Sequence, residues 1–166
     1  MVEWLATRST ITLVNVDRLT LLDTNVLVYA LDAEAGNHAI ARTILDASNN
    51  AGAGLCVVPQ ILAEFFAVVT SSRRVRNPLT PVQAADVITN VLMLPGLSML
   101  PTPADLVVRW LELLGRYPRT GQRIFDLQLV ATMLGNGVTR ICTFNDADFA
   151  GITGVDVVRP VAAFAS

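Results

Sequence analysis

The hydrophobic positions of this chain fall into five short runs, and longer amphipathic stretches lie between them. The runs occupy residues 19–22, 55–58, 97–100, 139–144 and 155–158. Their length and composition are typical of buried strands, and the stretches between them are long enough for helices. Strands that alternate with helices are the pattern of βαβ units. We therefore predict an α/β fold built on a parallel sheet.

Capping signals predict some of the helix boundaries. Residues 80–83 and 102–105 each combine a threonine, a proline at the first helical position and an amide or acidic side chain at the third. Asp105 is therefore interpreted as a helix cap rather than a ligand. A Gly-Asn-Gly sequence at 135–137 is expected to end a helix. Residues 1–18 are expected to form an N-terminal extension or an edge strand, and residues 19–166 a single domain.

Composition narrows the class of protein. With 166 residues the chain has the size of one domain. Hydrophobic residues make up 52% and charged residues only 16%, which predicts apolar surface covered by a partner or a second copy. The net charge is −2, so any polyanion must be held by a local basic patch. No stretch is apolar enough to span a bilayer, and the chain is expected to be cytoplasmic.

Several catalytic classes are excluded by what the sequence lacks. All twelve of its lysine and arginine positions are arginine. The absence of lysine excludes a P-loop lysine and Schiff-base chemistry. The single histidine, His38, lies in a polar lead-in to a helix and is expected to be solvated. Cys56 and Cys142 lie in apolar runs and are expected to be buried thiols. Hydrolytic chemistry would therefore rest on carboxylates and a metal.

Three acidic residues, Asp23, Glu64 and Asp126, interrupt apolar sequence, and a fourth acidic group follows at residues 145–148. Carboxylates are rarely buried unless they are paired, hydrogen-bonded or bound to a metal. Two carboxylates about 4 Å apart repel by roughly 4 kcal/mol at an effective dielectric of about 20. If the fold gathers these acids, they must bind protons or a cation such as Mg²⁺.

The predicted elements bring these acids toward one edge of the sheet. Asp23 ends the first strand and Asp146 follows the fourth, where open α/β sheets bind their ligands. In a sheet of order 3-2-1-4-5 these two strands are neighbours. Glu64 lies in the helix after Pro59, on a small and polar face of that helix. Asp126 opens a further helix and is expected to point toward the core side.

Each acid alone also has a structural interpretation. Asp23 and Asp126 could cap helices, Glu64 could pair with an arginine, and Asp146 and Asp148 could shape a turn. Taken together, acids at strand ends and helix starts without basic neighbours in sequence favour a metal site.

Four motifs in this order and spacing resemble the PIN domain, and most closely the VapC-type toxins of bacterial toxin–antitoxin pairs. They are Leu21-Leu22-Asp23-Thr24-Asn25-Val26-Leu27, Glu64 in the second βα unit, Phe125-Asp126-Leu127-Gln128-Leu129-Val130-Ala131 and Thr143-Phe144-Asn145-Asp146-Ala147-Asp148-Phe149. The resemblance covers about residues 19–160. It implies a three-layer α/β/α sandwich with a five-stranded parallel sheet in the order 3-2-1-4-5.

The resemblance also implies an activity and partners. It implies an endoribonuclease that depends on Mg²⁺ or Mn²⁺, and a homodimer inhibited by a small VapB-like antitoxin. By position, Asp23, Glu64 and Asp126 would be metal ligands. Asp146 matches the fourth acid better than Asp148, which is kept as its substitute.

Supporting roles follow from the same motifs. Thr24 would steady the first ligand or a water on the metal, and Asn25, Thr143 and Asn145 would support the site. Phe125 occupies a position that is often polar in such proteins, and no role is assigned to it.

The proposed mechanism follows from the side chains available. A metal would lower the pKa of a bound water for in-line attack on the phosphate, and arginines would position the substrate. The candidates lie in two clusters, and solvated loop charge is the alternative for both. They are Arg73, Arg74, Arg76, Arg116, Arg119 and Arg123.

Two other functions are weighed against the ribonuclease. A phosphohydrolase with an aspartyl nucleophile would need an aspartate two residues after Asp23, where Asn25 stands. A catalytically silent PIN-like binding module is the second alternative, although the intact set of acids gives it little support.

Overall fold

The computed structural model describes residues 19–160, in which five short parallel strands form one sheet. The strands are β1 (Thr20–Leu22), β2 (Leu55–Val57), β3 (Leu97–Met99), β4 (Arg140–Cys142) and β5 (Asp156–Val158). Their order in the sheet is β3-β2-β1-β4-β5, and all four neighbouring pairs are parallel. The predicted strands and the predicted order 3-2-1-4-5 are confirmed.

Six helices connect the strands. They are α1 (Thr24–Leu31), α2 (His38–Ala47), α3 (Pro59–Val69), α4 (Pro81–Leu92), α5 (Leu106–Arg116) and α6 (Arg123–Gly135). A short 3₁₀ turn, Asp146–Asp148, lies between β4 and β5. The chain runs one way along the sheet from β1 to β3 and the other way from β3 to β5. Right-handed crossovers therefore place α1 to α4 on one face and α5 with α6 on the other, which is the predicted three-layer sandwich.

The central strands are buried on both faces, as expected for a parallel sheet between helices. Leu21, Cys56 and Ile141 on three adjacent strands have no exposed surface. Both cysteines, Cys56 and Cys142, are buried and unpaired, and burial raises the pKa of each thiol to about 12. The prediction of buried thiols is confirmed.

The sequence signals for helix starts were correct at α4 and wrong at α5. Thr80 and Gln83 form the predicted capping box, with Gln83 N–H donating to Thr80 Oγ1 at 3.3 Å. The second helix begins at Leu106 rather than after Thr102, because Leu106 N–H closes a turn onto Pro103 O. Asp105 stands at the N-cap position, but its carboxylate binds Arg109 instead of the helix backbone.

Two further expectations concern the ends of the chain and membranes. The extension at residues 1–18, with its possible edge strand, lies outside the described residues. Between residues 19 and 160, each helix is too short or too polar to cross a membrane.

Candidate functional site

Asp23 lies directly after β1 and caps α1. Its backbone is extended (φ −73°, ψ 155°), and its Oδ1 accepts a hydrogen bond from the Thr24 backbone N–H at 2.6 Å. The first N–H groups of a helix have no partner inside the helix, so a carboxylate is favoured there. Asp23 is thus a helix cap that also faces the carboxyl edge of the sheet.

Residues after β4 and on α1 orient the second oxygen of Asp23. Thr143 donates its hydroxyl hydrogen to Asp23 Oδ2 at 2.6 Å, and the Asn25 amide donates to the same oxygen at 2.7 Å. Asn25 also donates to Thr143 Oγ1 at 2.9 Å and accepts from the Phe144 N–H at 3.2 Å. These bonds join β1 to β4 where the strand order reverses, which is the usual ligand position in open α/β sheets.

Glu64, in the middle of α3, is held by one hydrogen bond to each carboxylate oxygen. Thr24 Oγ1 donates to Glu64 Oε2 at 3.0 Å, and the Gln60 amide donates to Oε1 at 2.8 Å. The Gln60 amide also donates to the carbonyl oxygen of Phe125 at 3.0 Å. Thr24 therefore connects Asp23, through its backbone, with Glu64, through its hydroxyl.

Asp126 lies in the first turn of α6, as predicted, and its side chain is partly buried. Arg119 Nη1 lies 3.8 Å from its Oδ2. Burial, followed by the charge of Asp148, raises the pKa of Asp126 to about 6, with smaller contributions from Asp23 and Glu64. The charge of Arg119 lowers the pKa of Asp126, but by less than burial and the other acids raise it.

The pKa of Asp23 is also raised. Burial is the main cause, and the charges of Glu64 and Asp148 add to it, although the hydrogen bonds from Thr143 and Thr24 oppose the shift. A group whose charged form is disfavoured by burial and like charges gains most from a cation.

The structure places Asp148, and not Asp146, with the other acids. Asp148 lines the same cleft as Asp23 and Asp126, whereas Asp146 forms an exposed ion pair with Arg159 that lowers its pKa. Both acids belong to one 3₁₀ turn of about three residues per turn, so residues two apart point in different directions. The preference for Asp146 from sequence therefore does not agree with the geometry.

The acids share one cleft of about 700 Å³ at the carboxyl edge of the sheet. Its walls come from α1, α3, α6 and the loop after β4. The lining residues are Asp23, Thr24, Asn25, Val28, Tyr29, Glu64, Ala67, Val68, Arg74, Gln122, Phe125, Asp126, Asn145, Asp148 and Phe149. The four segments that the sequence predicts at this edge all contribute to the cleft.

The donor set of the cleft fits a hydrated divalent cation. Carboxylate oxygens are the ligands that Mg²⁺ and Mn²⁺ prefer. Burial, with a smaller contribution from neighbouring carboxylates, raises the pKa values of Asp23 and Asp126, and a bound cation would favour their charged forms. Within residues 19–160, no three carboxylate, imidazole or thiol groups are arranged to hold one ion directly. Mg²⁺ commonly binds through one or two carboxylates and keeps several waters, so three direct protein ligands are not required.

The predicted arginines divide into three groups. Arg74 lines the cleft, and Arg119 lies beside Asp126. Arg76 forms an exposed ion pair with Glu34 at 3.2 Å. Arg73, Arg116 and Arg123 are exposed, and none of them lines the cleft.

Seven cleft residues were not predicted as parts of the site: Val28, Tyr29, Ala67, Val68, Gln122, Phe125 and Phe149. Tyr29 packs edge-to-face on Phe144, with ring centroids 5.2 Å apart. Gln60, which donates a hydrogen bond to Glu64, was also not predicted as part of the site. Its spacing of four residues before Glu64 is the signal that could have identified it as a partner of that acid.

Comparison with known families identifies the class of protein. The model of the PIN domain matches residues 20–154, which is most of the chain. The chain therefore belongs to the PIN-domain family, and the resemblance inferred from its motifs is confirmed.

Named relatives refine the comparison. The chain is 30% identical to VapC ribonuclease Mb2897 from Mycobacterium bovis over 118 residues, which is 71% of this chain and 80% of that protein. It is similar in fold to VapC20 from Mycobacterium tuberculosis, a toxin that cleaves the sarcin–ricin loop (TM-score 0.58, 20% identity, 82% and 98% coverage). A toxin–antitoxin complex from Klebsiella pneumoniae also matches (TM-score 0.55, 20% identity, 85% and 97% coverage).

Proposed function

We propose that this protein is an endoribonuclease that uses Mg²⁺ or Mn²⁺ to hydrolyse phosphodiester bonds of RNA. The observation that carries the proposal is the convergence of Asp23, Glu64, Asp126 and Asp148 on one cleft of a PIN-domain chain. The naming of the relative from Mycobacterium bovis as a VapC ribonuclease supports RNA as the substrate.

The four acids would hold the cation. When bound, a divalent ion lowers the pKa of water and neutralises charge that develops on the phosphate. The chain prepares its ligands in advance: both oxygens of Asp23 and both oxygens of Glu64 already accept hydrogen bonds. Such bonds orient a ligating carboxylate and reduce the ordering needed when the cation binds.

Basic residues of the cleft would position the substrate. Arg74 lines the cleft and has an exposed side chain, so its planar guanidinium is available to a phosphate group. Arg119 lies 3.8 Å from Asp126 with a largely buried side chain, and its charge would limit repulsion between the acids and the RNA backbone. Asn145, at the cleft wall, supplies an amide for further contacts.

A cleavage assay with one matched pair of variants tests the proposal. Wild-type protein should cleave structured RNAs in Mn²⁺ and lose this activity in EDTA. Asp23→Asn should lower the rate at least about 100-fold, since preorganised charge at a reacting centre typically contributes that much. Asp86→Asn removes an exposed carboxylate of α4, outside the cleft, and should retain full activity.

Full activity of Asp23→Asn would contradict the assignment of the acids. Absence of cleavage by the wild type, together with no Mn²⁺-induced rise in melting temperature, would favour the silent binding module instead.

We further propose that the protein acts in the cytoplasm as the toxin of a pair with a VapB-like antitoxin. Support comes from the Klebsiella pneumoniae toxin–antitoxin complex, which has the same fold. Expression of the chain should arrest growth, and co-expression of a small protein encoded beside it should restore growth. An arrest that persists with Asp23→Asn would separate toxicity from the nuclease.

A homodimer is proposed for the isolated protein. Three side chains of α5, Val107, Val108 and Leu111, are each more than half exposed and supply apolar surface for self-association. Light scattering should report twice the chain mass of 17.8 kDa. A mass of one chain at all concentrations would refute the dimer.

A further inference from the structure

Phe125 is a large apolar side chain that remains exposed inside the acidic cleft. It directly precedes Asp126 in the first turn of α6, and 48% of its surface is exposed. The ring forms part of the cleft wall and does not belong to the hydrophobic core, so core packing does not require an aromatic residue at this position. An exposed aromatic ring beside a reactive site is a candidate contact for a ligand.

The position of Phe125 is fixed relative to the acids. Its carbonyl oxygen accepts a hydrogen bond from the Gln60 amide at 3.0 Å, and the same amide binds Glu64 at 2.8 Å. The residue before it is also held, because the Trp110 indole N–H donates to the Ile124 carbonyl oxygen at 3.1 Å. One glutamine thus ties the backbone of the aromatic residue to a predicted metal ligand on another helix.

The surroundings of Phe125 favour a flat polar ligand over an apolar protein segment. Gln122, Asn145 and Arg74 line the same cleft and offer amide and guanidinium donors. An apolar helix would need a continuous apolar surface, which these side chains interrupt. A nucleobase combines a flat face for stacking with polar edges for hydrogen bonds.

We propose that Phe125 stacks on an unpaired nucleobase of the RNA, next to the phosphate that a cation at the four acids would bind. The inference rests on the proposed ribonuclease function and adds a substrate requirement to it. Since bases inside a duplex are already stacked and paired, the site selects single-stranded or looped segments. All four bases have a π face, so this contact selects strand structure more than sequence.

A binding experiment tests the stacking directly, without cleavage. The Asp23→Asn protein is titrated into a single-stranded RNA that carries 2-aminopurine at successive positions, whose fluorescence falls when the base stacks. Quenching is expected at one or two adjacent positions. Phe125→Ala in the same background should remove it and weaken binding about 5- to 150-fold.

Two substitutions separate stacking from simple burial. Phe125→Trp keeps an aromatic face and should retain the quenching, whereas Phe125→Leu keeps an apolar side chain and should lose it. Val82→Ala, at an exposed apolar residue of α4, serves as the control and should change nothing. Equal behaviour of the Leu and Trp variants, or undiminished quenching in Phe125→Ala, would overturn the proposal.

The cleavage arm distinguishes failure of this inference from failure of the nuclease proposal. With Mn²⁺ and otherwise wild-type protein, Phe125→Ala should raise KM more than it lowers kcat and should reduce the preference for single strands over duplex. Its Mn²⁺-induced rise in melting temperature should equal that of the wild type. A lost rise would show that Phe125 acts through the acids, and the stacking role would be rejected.

Absence of cleavage by the wild type refutes the nuclease, and the quenching experiment still decides the role of Phe125.

Discussion

Helices α1 and α3 separate two concave surfaces of opposite chemistry. One face of these helices lines an apolar groove of about 370 Å³ through Leu27, Leu62 and Phe65. The other face lines the acidic cleft through Asn25 and Glu64. The two sets of positions interleave at helical spacing, so neighbouring residues in sequence serve different surfaces.

The two surfaces differ in their effect on stability: residues of the apolar groove stabilise the fold, and the acids of the cleft destabilise it. Phe65 is 2% exposed and belongs to the core, so burial of its ring favours folding. Asp23 and Asp126 have raised pKa values because folding buries their carboxylates close to other carboxylates. The cleft thus holds carboxylates where their charged forms are disfavoured, as is common at functional sites.

Truncating one phenylalanine on each surface gives the largest expected contrast. Phe65→Ala should lower the free energy of unfolding by about 3–5 kcal/mol, because it leaves a cavity in the core. Phe125→Ala should cost about 1 kcal/mol or less, since its ring is about half exposed. Urea denaturation measures both values. Similar losses for the two variants would mean that Phe125 is a core residue.

Neutralising one acid at a time tests which of two aspartates belongs to the cleft. Asp148→Asn should weaken Mn²⁺ binding about 10- to 100-fold and reduce the metal's contribution to stability by about 1.4–2.7 kcal/mol. Asp146→Asn should leave Mn²⁺ binding unchanged, because that side chain pairs with Arg159 outside the cleft. Thermal melting with and without Mn²⁺ measures the difference. The opposite ranking would restore Asp146 as the fourth acid.

A smaller effect is expected from pH in the metal-free protein. The pKa of Asp126 is raised from 3.8 to about 6, so the folded chain retains a proton that the unfolded chain has released over this interval. Stability from this group is complete below pH 3.8 and is lost as the pH rises through about 6. Asp105 and Asp146 have lowered pKa values and act only below this window.

Melting temperatures measured in EDTA from about pH 4.5 to about pH 6.5 test this sign. They should fall with rising pH in the wild type and fall less in Asp126→Asn. A wild-type melting temperature that rises across the interval would show that the acids are stabilised as anions without metal.

The sequence was sufficient to predict the strands and helices that carry the acids of the cleft. Hydrophobic runs identified the strands, because a parallel strand is buried on both faces and needs no alternation. Asp23 at the end of β1 and Glu64 on α3 followed from those boundaries and from helical spacing. These predictions depend on local patterns, which a single sequence displays.

Details that depend on distant partners could not be predicted. Asp146 pairs with Arg159, which follows β5 and approaches the loop after β4 only in the folded chain, so this pairing could not be read from local sequence. The late start of α5 depends on a turn closed onto Pro103. Likewise, the link from Gln60 to Phe125 joins residues 65 positions apart.

Anomalous diffraction from crystals of the protein soaked in Mn²⁺ is the most direct test that the four acids form a cation site. We expect a manganese peak in the cleft, bounded by the carboxylates of Asp23, Glu64, Asp126 and Asp148, and no such peak in Asp23→Asn crystals. A cleft without manganese in the wild type, at concentrations that support cleavage, would contradict this assignment.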